Sequence, residues 1–358
     1  MELMSRSRNR VIVAATAAVS TLVLVAGTAS ATAKAPAVVS PPIVEGLAGP
    51  LQFEVGDNGH VLVAQSFSGT VSVVNRKGEI KDLFNDPGVD GVAAGPWGSV
   101  LYTHTDQEGG AAELRLRTKE GRTRTLADLH AYEVRKNPDR NQSYGLQGLT
   151  TDCAALLPPD QGILPYQGGI DSHPYALTPT IGGVLIADAA ANAILFVDYW
   201  GGIHTVAVLP AQAPVVVTAD AASSNGLPPC TVGTTFIAEP VPTDVEIGPG
   251  GLYVSTLPGG PEDPSLGARG SVYQVNPFTG KVRQVATGFA GATNLAVTPN
   301  GTIYVSELFG DRVSKVVGNH GVPVASVPGP SGLEWSHGKL YVGTDTLSPS
   351  GKLVTITP

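Results

Sequence analysis

Cysteine occurs twice, methionine twice and tryptophan three times in 358 residues, and charged side chains make up only 15% of the chain. Two cysteines so far apart, Cys153 and Cys230, are too few for a zinc site, which draws its ligands from closely spaced pairs. There is no Gly-x-Ser-x-Gly elbow, no His-Glu-x-x-His pair and no phosphate loop, so nucleophilic, zinc and nucleotide chemistry lack their usual hardware. Nor is there a basic stripe. The formal charge of −8 describes an acidic surface that repels nucleic acid and anionic lipid. What abounds instead is the turn former: 44 Gly and 29 Pro beside 42% hydrophobic residues. Such a chain is too apolar for disorder and too rich in turns for a helical fold.

Arg6, Arg8 and Arg10 precede an apolar run, Val11 to Ala26, that gives way to Ala29-Ser30-Ala31-Thr32-Ala33. This is the charged, apolar, small-residue order of a secretory signal peptide. The run falls short of the roughly 20 residues that span a bilayer, so residues 1–33 are read as a cleaved leader rather than an anchor. No membrane span is expected after cleavage, and the protein is expected to be secreted or held in the cell envelope. Loss of three Arg and Glu2 with the leader takes the formal charge from −8 to −10. Residues 34–40 read as a short linker and 41–358 as one domain.

That domain repeats itself. "TNLAVTPNGTIYVSE" from Thr293 is echoed by "TDVEIGPGGLYVST" from Thr243, "SGLEWSHGKLYVGT" from Ser331, "PLQFEVGDNGHVLVAQ" from Pro50, "DGVAAGPWGSVLYTH" from Asp90 and "HPYALTPTIGGVLIAD" from His173. Each copy alternates apolar and polar residues on both sides of a Gly-centred turn, the period-2 signature of a strand hairpin. A third strand follows, as in "NAILFVD" and "GSVYQVN", and often a fourth, as in "KVRQVATGF". Four strands recurring every 40 to 50 residues describe a β-propeller blade, with a β-sandwich or a solenoid as the competing architecture. The two ends decide between them. The last repeat stops after three strands, while "VEGLAG" from Val44 matches "ATGFAG" from Ala286, the end of a fourth strand. The sequence therefore predicts an all-β, six-bladed β-propeller whose N-terminal strand closes the last blade and protects its edge.

The turns fall at Gly59, Gly98, Gly183, Gly251, Gly301 and Gly338, with spacings of 39, 85, 68, 50 and 37. The two long gaps hold Pro-rich insertions at about 130–170 and 211–238, and loops of that length are usually functional or disordered. Each follows the fourth strand of a blade, so both emerge on one face, flanking the same blade. Cys153 lies in the first and Cys230 in the second. A lone pair of cysteines in an exported chain is expected to form a disulfide, which would join the insertions into one lid; two buried thiols are the alternative.

The strings "DSHPYAL", "GGVLIADAAANAILFVDYWGGIHTVAVLP", "VPTDVEIGPGGLYVSTLPGGP" and "ATGFAGATNLAVTPNGTIYVSELF" resemble the blade signatures of exported ScyD/ScyE-type proteins. Ser172-His173 stands where that group carries Asn before Pro-Tyr, and Pro249-Gly250-Gly251 where it carries Pro-Asp-Gly. The resemblance implies an exported propeller without naming a reaction. Strand-Gly-strand units also resemble those of NHL-type and gluconolactonase-like propellers, and the latter resemblance implies a cation in the central channel held by Glu, Asn and Asp from different blades. Asp90, Asp244 and Asn294 are the matching candidates for Ca²⁺, an ion that takes six to eight oxygen ligands, with His173 or Glu307 as base.

Aligned on their turns, the repeats place Asp90, His173, Thr243, Thr293 and Ser331 at one level and Gly91, Pro174, Asp244, Asn294 and Gly332 at the next. The candidates for the channel mouth are Asp90, His104, His173, Tyr175, Asp188, Asn192, Asp244, Asn294 and Glu307. Asp188 and Asn192 also fit a plain turn-shaping role, and polar side chains around a solvated channel are the ordinary case. The preferred reading is a protein that binds a small molecule, a polymer or another protein at the loop-rich mouth. A Ca²⁺-dependent lactonase or esterase and a passive envelope scaffold are the rivals, because a propeller does not fix a function.

Overall fold

The computed structural model describes residues 37–106, 110–159, 162–260 and 264–358; the expected leader lies outside them. Six antiparallel sheets follow the six repeats. Their inner strands are Gln52–Val55, Val89–Ala94, Pro174–Thr180, Pro242–Gly248, Ala292–Val297 and Leu333–Ser336, which we number blades 1 to 6. Blades 1 to 5 each run through four strands in chain order. The Gly turn of each hairpin is local chemistry: in Pro299-Asn300-Gly301 the glycine sits at φ 83°, a left-handed conformation that only glycine adopts without strain.

Blade 6 carries three strands of its own, ending in Gly351–Thr357. Two N-terminal segments, Val38–Val39 and Val44–Leu47, pair antiparallel with that strand, in register Val38 to Thr357 and Val44 to Leu353. Leu47 is fully buried, as is Phe289, its counterpart at the end of the fourth strand of blade 4. Gly49 and Gly291, two residues further on, each lie under a phenylalanine ring, Phe67 and Phe309, with no room for a side chain. The local match between "VEGLAG" and "ATGFAG" is thus a match of packing.

Six apolar clusters of buried residues fill the six seams between neighbouring blades. Leu101, Leu114, Ile186 and Leu195 join blades 2 and 3; Phe53, Val61 and Val63 join blade 1 to Leu353 and Leu47 of blade 6. Each inner strand lies beside the next, that of blade 6 beside that of blade 1.

The two insertions are more ordered than a loop reading allows. The first contains the helix Leu129–Lys136, begun by Asp128, whose side chain accepts from the Ala131 amide. Ser143–Gln147 and Tyr166–Gln167 from the first insertion join Val215–Val216 and Thr235–Ile237 from the second in a further four-stranded sheet. Leu146, Leu157, Val217, Ala221 and Ala222 form its core. Cys153 and Cys230 are bonded across it, with Cα atoms 5.9 Å apart and a sequence separation of 77. On the chain-entropy estimate a loop of that length contributes roughly 4 kcal/mol. The insertions make a stapled cap. Among the described residues no helix is long and apolar enough to cross a membrane.

Candidate functional site at the channel mouth

The aligned residues of blades 4 to 6 tie blade to blade, whereas in blade 3 the alignment is out by two: Tyr175, not His173, holds the bulge position of Thr243 and Thr293, because Pro174 pairs as Pro242 does. Thr243 Oγ1 donates to Ala292 O at 2.9 Å, Thr293 Oγ1 to Pro330 O at 3.3 Å, and Ser331 Oγ to Leu51 O at 3.2 Å, so each hydroxyl reaches the start of the next blade. One level deeper, Asp244 Oδ2 accepts from Leu295 N at 3.1 Å and Asn294 Oδ1 from Leu333 N at 3.1 Å. A recurring irregularity aims these side chains. The pairing of inner and second strands skips a residue at Tyr175, Thr243 and Thr293, and a bulge of this kind redirects a side chain that a regular strand would point elsewhere.

Gln52, unremarked in the sequence, completes the layer. Its amide donates to Thr243 O at 3.1 Å and accepts from Asn294 Nδ2 at 2.9 Å, so it joins blade 1 to blades 4 and 5. The signal was available: Gln52 stands seven residues before Gly59, as Asp244 and Asn294 stand seven before Gly251 and Gly301.

This geometry does not suit the calcium set. Both Asp244 oxygens accept backbone amides, those of Val245 and Leu295; the Asn294 oxygen accepts Leu333 N; and Asp90 Oδ2 faces His173 Nε2 at 2.9 Å. The three are inter-blade connectors, and among the described residues no group of three or more His, Cys, Asp or Glu is placed to hold a metal. Glu307, offered as a base, is buried with both oxygens held by Arg312 at 2.8 and 2.7 Å and one amide, Ala290 N, at 2.8 Å. Those donors hold its carboxyl below the usual range despite burial, and it pins the turn after its own strand.

Four of the nine mouth candidates do share one cavity. Asp90, His104, His173 and Tyr175 line a concavity of about 710 Å³ together with Asp86 and Phe67. His173 lies edge-on to Tyr175, ring centres 5.9 Å apart. His104 Nδ1 is 3.2 Å from Asp86 Oδ1, and Asp86 Oδ2 is fixed by Tyr102 OH at 2.7 Å and Arg115 Nη1 at 2.9 Å. Burial disfavours a charged His173, but the hydrogen bond and charge of Asp90, with Asp188 and Asp171 behind, outweigh it and raise its pKa. Phe67 is 55% exposed, an aromatic face left open beside two imidazole–carboxylate pairs.

Asp188 and Asn192 lie instead beneath the cap. Asp188 accepts from Ser172 Oγ at 2.6 Å, His173 N at 2.7 Å and Ala191 N at 3.2 Å, and so fixes the backbone that presents His173. Asn192, at φ 53°, donates to Asp139 Oδ2 at 2.9 Å and accepts Val241 N at 3.1 Å. Further along the inner strands, Glu54, Asp244, Glu246 and Glu334 surround a cavity of about 210 Å³. Burial raises all four, Asp244 to about 7.

No protein-family model matches the chain, and no curated protein matches it. Solved structures do. Virginiamycin B lyase from Staphylococcus aureus is 16% identical with a TM-score of 0.51, over 87% of this chain and 95% of that one. A PQQ-bound aldose sugar dehydrogenase from Streptomyces coelicolor is 12% identical with a TM-score of 0.53, over 89% and 97%. A protein described as a gluconolactonase is 12% identical with a TM-score of 0.51, over 90% and 92%. At these identities the likeness establishes the fold: the chain is a β-propeller whose structural neighbours carry several different activities.

Proposed function

We propose that the chain is an exported propeller of the ScyD/ScyE type that binds a polyhydroxylated small molecule, or the end of a polymer, at the channel mouth. The observation that carries this reading is the cavity in which an open Phe67 ring and Tyr175 stand beside Asp86, Asp90, His104 and His173. Hydroxyl-rich ligands both donate and accept, which suits carboxylates paired with imidazoles, while their C–H faces pack on aromatic rings. Sites of this kind combine apolar walls with a few oriented polar groups. Export is supported by the Cys153–Cys230 bond, since disulfides persist in oxidising compartments. The ScyD/ScyE assignment is supported by where its strings fall: "GGVLIADAAANAILFVD" forms the second and third strands of blade 3. Two of the structural neighbours, a sugar dehydrogenase and a gluconolactonase, are named for sugar-derived substrates. The calcium-dependent hydrolase is less favoured, because its ligand set is engaged between blades.

Saturation-transfer NMR with a panel of mono- and disaccharides is expected to find binders whose affinity falls at least about tenfold in His173→Ala, the loss of a charge-assisted contact. Absence of any binder defeats the reading. Hydrolysis of gluconolactone above the buffer rate, abolished in Asp90→Asn, would replace it with the enzyme reading.

A further inference from the structure

A second cavity, of about 380 Å³, lies between the cap and the loop after the second strand of blade 4, and it shares no residue with the mouth. Ile163, Leu227, Phe236 and Leu266 line it while remaining half exposed. Four apolar side chains turned toward one concavity and left partly in water are what a ligand pocket presents. Gly260 closes over Phe236 so tightly that a Cβ would sit 2.8 Å from its ring, which sets one wall.

The donors of the pocket, the Tyr166 hydroxyl and the Asn225 amide, are spent on protein acceptors, so what remains for a ligand is acceptor capacity. Glu239 Oε1 accepts from Tyr166 OH at 2.7 Å. Asn225 uses its amide hydrogens on Ala221 O at 2.9 Å and Ser265 Oγ at 3.1 Å, which leaves its oxygen to offer. Behind Tyr166 stands Tyr144, ring centres 5.5 Å apart, bonded to the buried Asp139. Glu133 and Asp139 are each 1% exposed, and Glu133 Oε1 and Asp139 Oδ1 have no hydrogen-bond partner. Among the described residues no basic side chain lies within ion-pairing distance of Glu133, Asp139, Asp188 or Glu239. Arg269, near the rim, donates to Gly259 O at 3.3 Å.

An apolar concavity whose one lining carboxylate, Glu239, is hydrogen-bonded by Tyr166 and Asn192 but faces no basic side chain among the described residues selects for sign as well as shape. We infer that it binds a small apolar cation, an aryl- or alkylammonium, with its hydrocarbon against Phe236, Leu227, Ile163 and Leu266 and its ammonium donating to Glu239. A charge-assisted hydrogen bond in a partly desolvated site is stronger than its neutral equivalent, and a carboxylate ligand would meet Glu239 as a like charge. The volume is at the small end for ligand cavities, which suits a single ring with a short chain.

The test is calorimetric titration of the purified protein at neutral pH with phenethylammonium, 2-phenylethanol and 3-phenylpropionate, which share a ring and differ in the head group. Phenethylammonium is expected to bind at least about tenfold tighter than the alcohol, and the carboxylate not to saturate. Glu239→Gln, which keeps the Tyr166 bond, should bring amine and alcohol to equal affinity. Leu227→Trp, which fills the cavity from a half-exposed position, should abolish both while the melting temperature holds; it decides the matter if Glu239→Gln does not fold. His173→Ala should leave the amine affinity unchanged. The inference is overturned if none of the three compounds saturates at millimolar concentration, if the carboxylate binds as tightly as the amine, if Leu227→Trp binds normally, or if His173→Ala loses the amine.

Discussion

Deletion of residues 38–47 should convert a cooperatively melting protein into an aggregating species with no sharp transition. These residues supply the outer edge of blade 6: Ser40 N donates to Thr355 O at 2.8 Å, Ile43 N to Leu353 O at 2.7 Å, and Leu47 fills the seam between blades 6 and 1. Removing them exposes the backbone of Gly351–Thr357, an apolar strand and hence a template for pairing with other chains. It also empties the position of a fully buried leucine. A milder variant separates the two effects. Leu47→Ala keeps the edge covered and loses only packing, for which about 3 kcal/mol is the usual cost; in a domain of this size that lowers the melting temperature by roughly 5 °C or more. Gel filtration and calorimetry of the two variants distinguish edge from core. A truncated protein that elutes like the full chain and melts unchanged would mean that blade 6 does not depend on the N-terminal strand.

Stability should fall as pH rises from 5.5 to 8. Burial raises Asp244 to about 7 and lifts Glu246, Glu334 and Glu54, in the first two cases with mutual repulsion added. His173 is raised by Asp90 against the opposing effect of burial. For all of these the folded chain holds protons that the unfolded chain releases, so across this window the native state binds more protons than the unfolded one. Unfolding free energy therefore declines with increasing pH. The contribution of His173 is complete below its unfolded value and is lost as pH passes its raised native one; the carboxylates lose theirs from the ordinary carboxylate range upward. Glu307 works in the opposite direction, its lowered pKa withdrawing stability only in acid. The melting temperature is expected to be about 5 °C higher at pH 5.5 than at pH 8. Glu334→Gln should raise it at pH 8 and flatten the profile, since an amide does not ionise against Glu246 and Asp244. A melting temperature that climbs between pH 5.5 and 8 would show that these carboxylates are charged and compensated in the native state.

The strands, the turns and the closing segment were legible because their causes are local. An alternating run beside a glycine at φ 83° forms a hairpin wherever it stands, and the paired phenylalanines over Gly49 and Gly291 repeat the same packing at two places in the chain. The cap sheet was not legible. Its strands are two to five residues long and pair across the third blade, Gly145 with Ile237 for example, and so short a strand carries no periodicity to read. The polar residues at the inner strands were found by their alignment, but their roles were not: whether Asp244 faces an ion or the next blade's amide is set by the bulge at Thr243, a feature of pairing rather than of composition. Gln52 was missed although it stands seven residues before its turn glycine, as Asp244 and Asn294 do, because the spacing does not show that its amide reaches Thr243 and Asn294 across the ring. Phe67 was missed for a similar reason, since only the assembled mouth shows that its ring stays open.

Elemental analysis of the purified protein, paired with a calcium titration followed by thermal shift, tests the functional account most directly. The account takes Asp90, Asp244 and Asn294 as connectors between blades and the mouth as a site that recognises its ligand through side chains alone. It predicts no stoichiometric calcium and no change in melting temperature at millimolar Ca²⁺, because an ion stabilises only a state that binds it. One equivalent of calcium per chain, with a thermal shift that disappears in Asp244→Ala, would contradict it and return the channel to metal-dependent hydrolysis.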